Sequence, residues 1–389
     1  MMRKIIISGA LANKPHNGGE AWVRLSWVLG FRRLGFHVYF LEQISRKACI
    51  DASGGASSDV ESSTNLAWFR EVTERFGLAG ASALIDVDSG RTFGLSESAL
   101  RDVTASAELL VNISGHLSHG PVMAPIRCKA FVDIDPGFTQ FWHAQGNAGA
   151  RLAGHDYFFT IGANIGSLSC PIPTGGIQWR PVRQPVVLED WPVCTEGDRG
   201  RFTTVASWRG PFGPVQAGGK TYGLKVHEFR KYLDLPTRSC PPADVFEIAL
   251  DIHPGDHKDR DNLRAHGWNI VEPRDVASGP ESFRRYVQLS GAEFSAAQGV
   301  YVHTNSGWFS DRTVRYLASG KPALVQDSGF GRQFPTGNGL VPFRTPDEAI
   351  AGVGSILADY ERHSRAARAI AEEFFDSDKV IADMLRQVS

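Results

Sequence analysis

The chain has 389 residues, 42% hydrophobic and 21% charged, a globular composition long enough for two domains. Its net charge of −1 leaves no basic footprint for nucleic acid. No apolar run reaches the roughly 18 residues of a membrane span. The five cysteines (49, 128, 170, 194 and 240) show neither CxxC nor zinc spacing, which fits reduced thiols and a cytoplasmic protein better than a disulfide framework.

The opening residues, Met1 to Ala10, are too briefly apolar for a signal peptide and read as a buried strand over 4–10. Leu11 to Glu20 is a Gly-containing loop. A helix follows over about 21–34, closed by Gly35, and a second strand covers 36–42. Strand, Gly loop, helix and strand make a βαβ unit, so the sheet is expected to be parallel. No GxGxxG is present, which argues against a nicotinamide-dependent oxidoreductase. Arg24, Arg32, Arg33, Arg46 and Lys47 read as a solvated basic face rather than a membrane-binding one.

A helix over 67–76 and strands over 84–87, 109–114, 129–134 and 156–161 continue the first sheet. The segment 171–192 holds prolines at 171, 173, 181, 185 and 192 and reads as an extended crossing between domains. A second sheet begins at 202–207, followed by a Gly-rich loop over 208–222, a helix over 224–233 and strands over 245–250 and 267–273. The tail from 347 is helical. The fold class expected is α/β, two doubly wound Rossmann-like domains facing a cleft. The first covers 1–185 and the second 186–369, and a last helix over about 370–389 packs back on the first.

The segment from Thr304 to Phe330 stands out. The polar turn Asn305-Ser306-Gly307 leads to a helix capped by Ser310, with Asp311 in its first turn, ended by Gly320 and followed by the strand Pro322–Val325. A helix N-terminus offers unpaired N–H groups and partial positive charge, which suits a phosphate. With Phe309, Ala318, Gly320, Pro322, Val325 and Asp327, this stretch resembles the donor motif of retaining GT-B glycosyltransferases. The motif's two glutamates fall on Gly307 and Arg315, and Asp311 is the expected substitute for the ribose contact. Pro15, Gly18, Gly19, Ala21, Leu25, Leu29, Gly35 and His37 resemble the N-terminus of the same enzymes. So does the ending, with Gly339 to Phe343, Asp347 to Ile350 and Phe374-Phe375 in order.

The resemblance implies transfer of a sugar from a nucleotide diphosphate sugar (UDP, GDP or dTDP type) to an acceptor hydroxyl, with no metal or other cofactor. Donor-binding residues would be Gly18, Gly19, Arg209, Lys225 (with Lys220 a rival), Ser306, Gly307, Trp308, Ser310, Asp311, Arg312 and Thr313. Asp135 and His16 are the candidate bases for the acceptor. They fall just past strand ends, where parallel sheets gather function, and so do His116 and His119. A sugar-nucleotide epimerase or hydrolase and a non-catalytic sugar-nucleotide binder remain alternatives, the latter because both glutamates are missing. The cluster His253, Asp256, His257, Asp259 and Asp261 reads as a polar loop rather than a metal site. No GxSxG, HExxH or Walker loop occurs.

Overall fold

A computed structural model describes residues 3–239 and 246–388; Val245 and Cys240 lie outside them. Two sheets are formed. The first has strands β1 (Lys4–Ser8), β2 (His37–Ile44), β3 (Ser82–Asp86), β4 (Thr92–Gly94), β5 (Leu109–Ile113), β6 (Lys129–Asp133), β7 (Tyr157–Thr160) and β8 (Trp179–Pro181). Their order is β4-β3-β2-β1-β5-β6-β7-β8, parallel except for β4. After a small hairpin is set aside, β9 (Phe202–Ser207), β12 (Phe246–Asp251), β13 (Asn269–Val271), β14 (Ala292–Ser295), β15 (Ala323–Gln326) and β16 (Leu340–Phe343) form the second, in the order β13-β12-β9-β14-β15-β16. It is parallel throughout. The hairpin is β10 (Val215–Ala217) with β11 (Lys220–Tyr222).

These strands read as near-continuous apolar runs because helices cover both faces of a parallel sheet. Ile5, Ile6 and Ile7 of β1 and Leu110 and Val111 of β5 are all buried. In each sheet the chain starts centrally and reverses direction once, between β1 and β5 and between β9 and β14. Those two switch points are where crevices open beyond the strand ends.

Several expectations change. The first helix spans Gly18–Arg33, three residues earlier than its apolar pattern suggested, because Asn17 caps it by accepting from the Glu20 N–H. The proline-rich crossing adds an edge strand, β8. The Gly-rich loop contains the hairpin, whose Gly218-Gly219 turn has φ of 57° and 75°, as a two-residue hairpin loop requires. Strand β14 lies where no element was expected, and 299–303 is a short helix. Arg24 is buried rather than solvated.

The end of the chain returns to the crossing and to the first domain. Val186 exchanges backbone hydrogen bonds with Phe375 (2.8 Å) and Ser377 (2.9 Å), and helix Ser377–Gln387 lies on helix Gly18–Arg33, where Gly30 leaves room for Ile381. No helix among the described residues is long and apolar enough to cross a membrane.

Candidate functional site

A cleft of about 650 Å³ separates the strand C-termini of the two sheets. One wall is Pro15, His16, Asn17, Gly19 and Glu20, from the loop after β1 and the first turn of its helix. The other wall comes from the second sheet: Ser207 at the end of β9, Asp251 at the end of β12, Glu272 after β13, and Gln298 after β14, with Lys225, Asp311 and Arg312. Every strand contributing to this wall does so from its C-terminal end, because the crossover helices of a parallel sheet start there.

Lys225 opens a short helix whose N–H donates to Gln298 Oε1 (2.7 Å). Its amine faces the cleft and has no hydrogen-bond partner among the described residues. Burial, and then the neighbouring Arg312 charge, push it down to about 7. Arg312 is committed to structure: Nε donates to Glu293 (2.7 Å), one Nη to the Val205 carbonyl (2.8 Å) and the other to Ser295 Oγ (2.6 Å). It joins β9 and β14 at the switch point.

Helix Asp311–Ala318 is capped by Ser310, whose side chain accepts from the Arg312 N–H. Arg315, where the resembling enzymes carry a glutamate, is buried and donates to Asp311 Oδ2 (2.8 Å) and to Ser26 of the first domain (3.2 Å). It cannot accept a ribose hydroxyl, but it holds Asp311 at the cleft wall. Asp311 is 27% exposed at the cleft, so Arg315→Gln leaves it solvated and is expected to cost about 1.5–3 kcal/mol of stability, the scale of hydrogen bonds to a charged group, read by denaturant melting.

Of the remaining expected donor residues, Gly19 lines the cleft wall and the others are placed elsewhere. Ser306, Gly307 and Trp308 do not line the cleft. Their turn is packed in the interdomain seam, where Asn164 donates to the Asn305 carbonyl (2.9 Å) and the Gly329 carbonyl (3.1 Å), and Trp308 stacks on Tyr301. Thr313 is buried. Gly18 is buried against the second domain: its N–H donates to the Ala277 carbonyl (2.9 Å), and a Cβ there would lie 2.0 Å from the Gly279 oxygen. Gly19 lies against the Phe283 ring. The glycine pair lets one helix dock on another. Arg209 stands outside the cleft wall, 52% exposed and held by Asp256 at 2.6 and 2.8 Å. Lys220 is exposed on the hairpin. Asp259 pairs with Arg230 and accepts from Trp208, so the acidic cluster serves arginines. Among the described residues no group of three or more metal-ligating side chains gathers.

On the acceptor side, Asp135 follows β6 and accepts from the Tyr301 hydroxyl of the second domain (3.1 Å). Burial, then the charges of Asp133 and Glu20, push its carboxyl up to about 7. Glu20 behaves oppositely. Burial alone would raise it, but Arg24, Lys14 and Arg315 hold it below the usual carboxylate range. His16 sits at the cleft rim beside Trp68 with φ of 55°. Glu20, Gln298, Asp251 and Glu272 were not anticipated. The spacing of Asn17 and Glu20 at the helix start was a readable signal for the first; Gln298 depended on the unmarked strand β14.

No family model matches the chain, and no curated protein does. Solved structures do. An alpha-glucosyltransferase in complex with UDP and a 13-mer DNA superposes with TM-score 0.57 at 11% identity, covering 100% of both chains. Anabaena Alr3699/HepE in complex with UDP-glucose gives 0.58 at 11%, covering 99% of each. The pneumococcal O-GlcNAc transferase GtfA in complex with UDP and GlcNAc gives 0.54 at 9%, covering 100% of this chain and 98% of that one. At such identities the likeness establishes the fold: two Rossmann-like domains facing a cleft, the GT-B arrangement.

Proposed function

We propose that the protein is a glycosyltransferase that moves a sugar from a nucleotide diphosphate sugar of UDP, GDP or dTDP type to an acceptor hydroxyl. The observation that carries this reading is the unpartnered Lys225 amine in a cleft between two switch points, in a fold whose neighbours are described with UDP bound. The nucleotide would lie along the second domain, with its diphosphate toward Lys225 and the Ser310-capped helix and its ribose toward Asp311.

In the reaction Asp135 takes the proton of the acceptor hydroxyl. The acceptor oxygen bonds to the anomeric carbon, the bond from that carbon to the diphosphate breaks, and the nucleoside diphosphate leaves with the electron pair. Lys225 offsets the charge building on the leaving group. The reading is metal-independent, because that cation belongs to the chain, and turnover is expected to survive a chelator.

Two carboxyls with diverging proton affinities suit separate tasks. Glu20 stays ionised, and Asp135 titrates where a base works best. Activity should therefore fall as pH drops below 7, and Asp135→Asn should cost about 10² to 10⁴ in turnover. Asp135 also binds a proton in the folded state that the unfolded chain releases above its ordinary 3.8. Its contribution to stability is thus present below pH 4 and lost as pH rises through 7. Asp135→Asn should flatten that loss in melts taken across pH 4 to 8. The function is tested by incubating nucleotide sugars with and without candidate acceptors. Turnover without acceptor would identify a hydrolase or epimerase, and UDP binding without any turnover a binder.

A further inference from the structure

The turn after β6, Asp135-Pro136-Gly137, carries the proposed base and sits on the second domain. Its seat is the short helix Gly299–His303, which follows Gln298. Val300 of that helix packs on Gly137, where φ is 94° and a Cβ would lie 2.7 Å from Val300 Cγ2. One residue further, the Tyr301 hydroxyl donates to Asp135 Oδ1 (3.1 Å). The Tyr301 ring is held on two sides, stacked on Trp308 (4.5 Å between centroids) and edge-on to Phe138 (6.1 Å). Packing that fixes a phenol ring also fixes where its oxygen lies.

The two oxygens of Asp135 are thereby made unequal. Oδ1 is engaged by Tyr301, and Oδ2 has no partner among the described residues. The charged groups acting on this carboxyl are Asp133 of β6 and Glu20 and Arg24 of the first helix. The two carboxylates favour the protonated acid, while the phenol and the guanidinium favour the carboxylate. The same short helix also reaches the donor side. Gln298, at its N-terminus, lines the cleft and accepts from the Lys225 N–H (2.7 Å). Gly299 is packed so closely that a Cβ there would stand 2.7 Å from the Gly223 oxygen. One tightly seated turn thus joins the backbone of the proposed donor cation to the base.

We infer that Tyr301 is the positioning residue of the acceptor base: its hydroxyl holds Asp135 Oδ1 and leaves Oδ2 to take the proton of the acceptor hydroxyl. This rests on the glycosyl-transfer reading and adds a residue of the second domain to its acceptor chemistry. Tyr301 keeps its own proton throughout. The acceptor's proton passes to Oδ2, and the electron pair of the broken O–H bond serves the new bond to the anomeric carbon. Because the tyrosine comes from one domain and the aspartate from the other, the base reaches its working form only where the two domains meet.

The test is Tyr301→Phe, which keeps the ring in its packing and removes only the hydroxyl. Losing a hydrogen bond to a charged group should move the titration of Asp135 up by about one to two pH units. The first readout needs no substrate. In melts taken across pH and read against Asp135→Asn in each background, the fall in stability due to Asp135 should move to higher pH by that amount. The second is turnover at saturating nucleotide sugar. The acid side of its pH profile should shift equally, so that the variant loses about tenfold or more at pH 7 and recovers as pH rises, with UDP affinity at the parent value. A profile that does not move, or a loss equal at every pH, overturns the inference while the transfer reading stands. A parent protein without turnover on any nucleotide sugar fails the transfer reading itself, and this inference with it.

Discussion

Lys225→Met is expected to weaken nucleotide binding sharply while leaving the empty protein as stable or more so. Buried hydrogen bonds to charged groups contribute about 1.5–3 kcal/mol, so UDP affinity should fall about 10- to 100-fold. The pH dependence follows from the same side chain. In the empty cleft the amine titrates near 7, and a diphosphate binds its charged form. Affinity should be full below 7 and decline above it, by up to about tenfold per pH unit. The useful window lies above pH 6, where the terminal phosphate is itself ionised.

Stability runs the opposite way. The folded amine is easier to deprotonate than the ordinary value of 10.5, so the unfolded chain binds more protons between pH 7 and 10.5. Stability of the empty protein rises with pH through that window, and in the methionine variant this rise should vanish. Calorimetric titration of UDP at several pH values, beside denaturant melts, reads both effects. Unchanged UDP affinity in the variant would remove the donor site from this part of the cleft.

Gly18→Ala should cost about 3 kcal/mol or part the two domains. A Cβ at this position lies 2.0 Å from the Gly279 oxygen, 2.5 Å from its carbonyl carbon and 2.9 Å from Phe283 Cβ. Two of the three obstructing atoms are backbone, so no side chain can swing aside. The neighbourhood is rigid too: Trp22 donates to the Pro280 carbonyl (2.7 Å) and packs edge-on against Trp191. The helix Gly18–Arg33 would have to lift from Pro280–Gln288, widening the cleft. Denaturant melting and small-angle scattering should show a weaker, more extended protein with UDP binding reduced. Gly80→Ala, with open space around it and no positive φ, serves as the control and should stay within about 0.5 kcal/mol. A Gly18→Ala protein as stable and compact as the parent would show that the docking carries little energy.

The first sheet was readable because β1, β5 and β6 are short apolar runs ended by Gly or Asp, and a parallel strand buried on both faces must look like that. The late helix was equally legible, since Ser310, Asp311 and Gly320 act within one or two turns of themselves. Strand β14 escaped notice because Ala292-Glu293-Phe294-Ser295 is not apolar throughout. Glu293 is buried there only because Arg312, on a separate helix, reaches it. The hairpin was hidden by its brevity, and its support comes from Phe141 across the seam, stacked on Tyr222.

By itself, then, the sequence determined the two α/β layers, the capped late helix and the place of Asp135 past a strand end, because propensity, caps and strand ends are local properties of the chain, while Lys225 was pointed to by the resemblance to GT-B enzymes. Only the tertiary structure decided that Gly18 and Gly19 serve the docking of two helices, that Ser306 to Trp308 are sealed in the seam, that Arg209 belongs to Asp256, and that Glu20 and Gln298 reach the cleft. Each of those depends on which residue lies opposite in the folded chain, across the domain boundary or within one domain, at separations that no local pattern encodes.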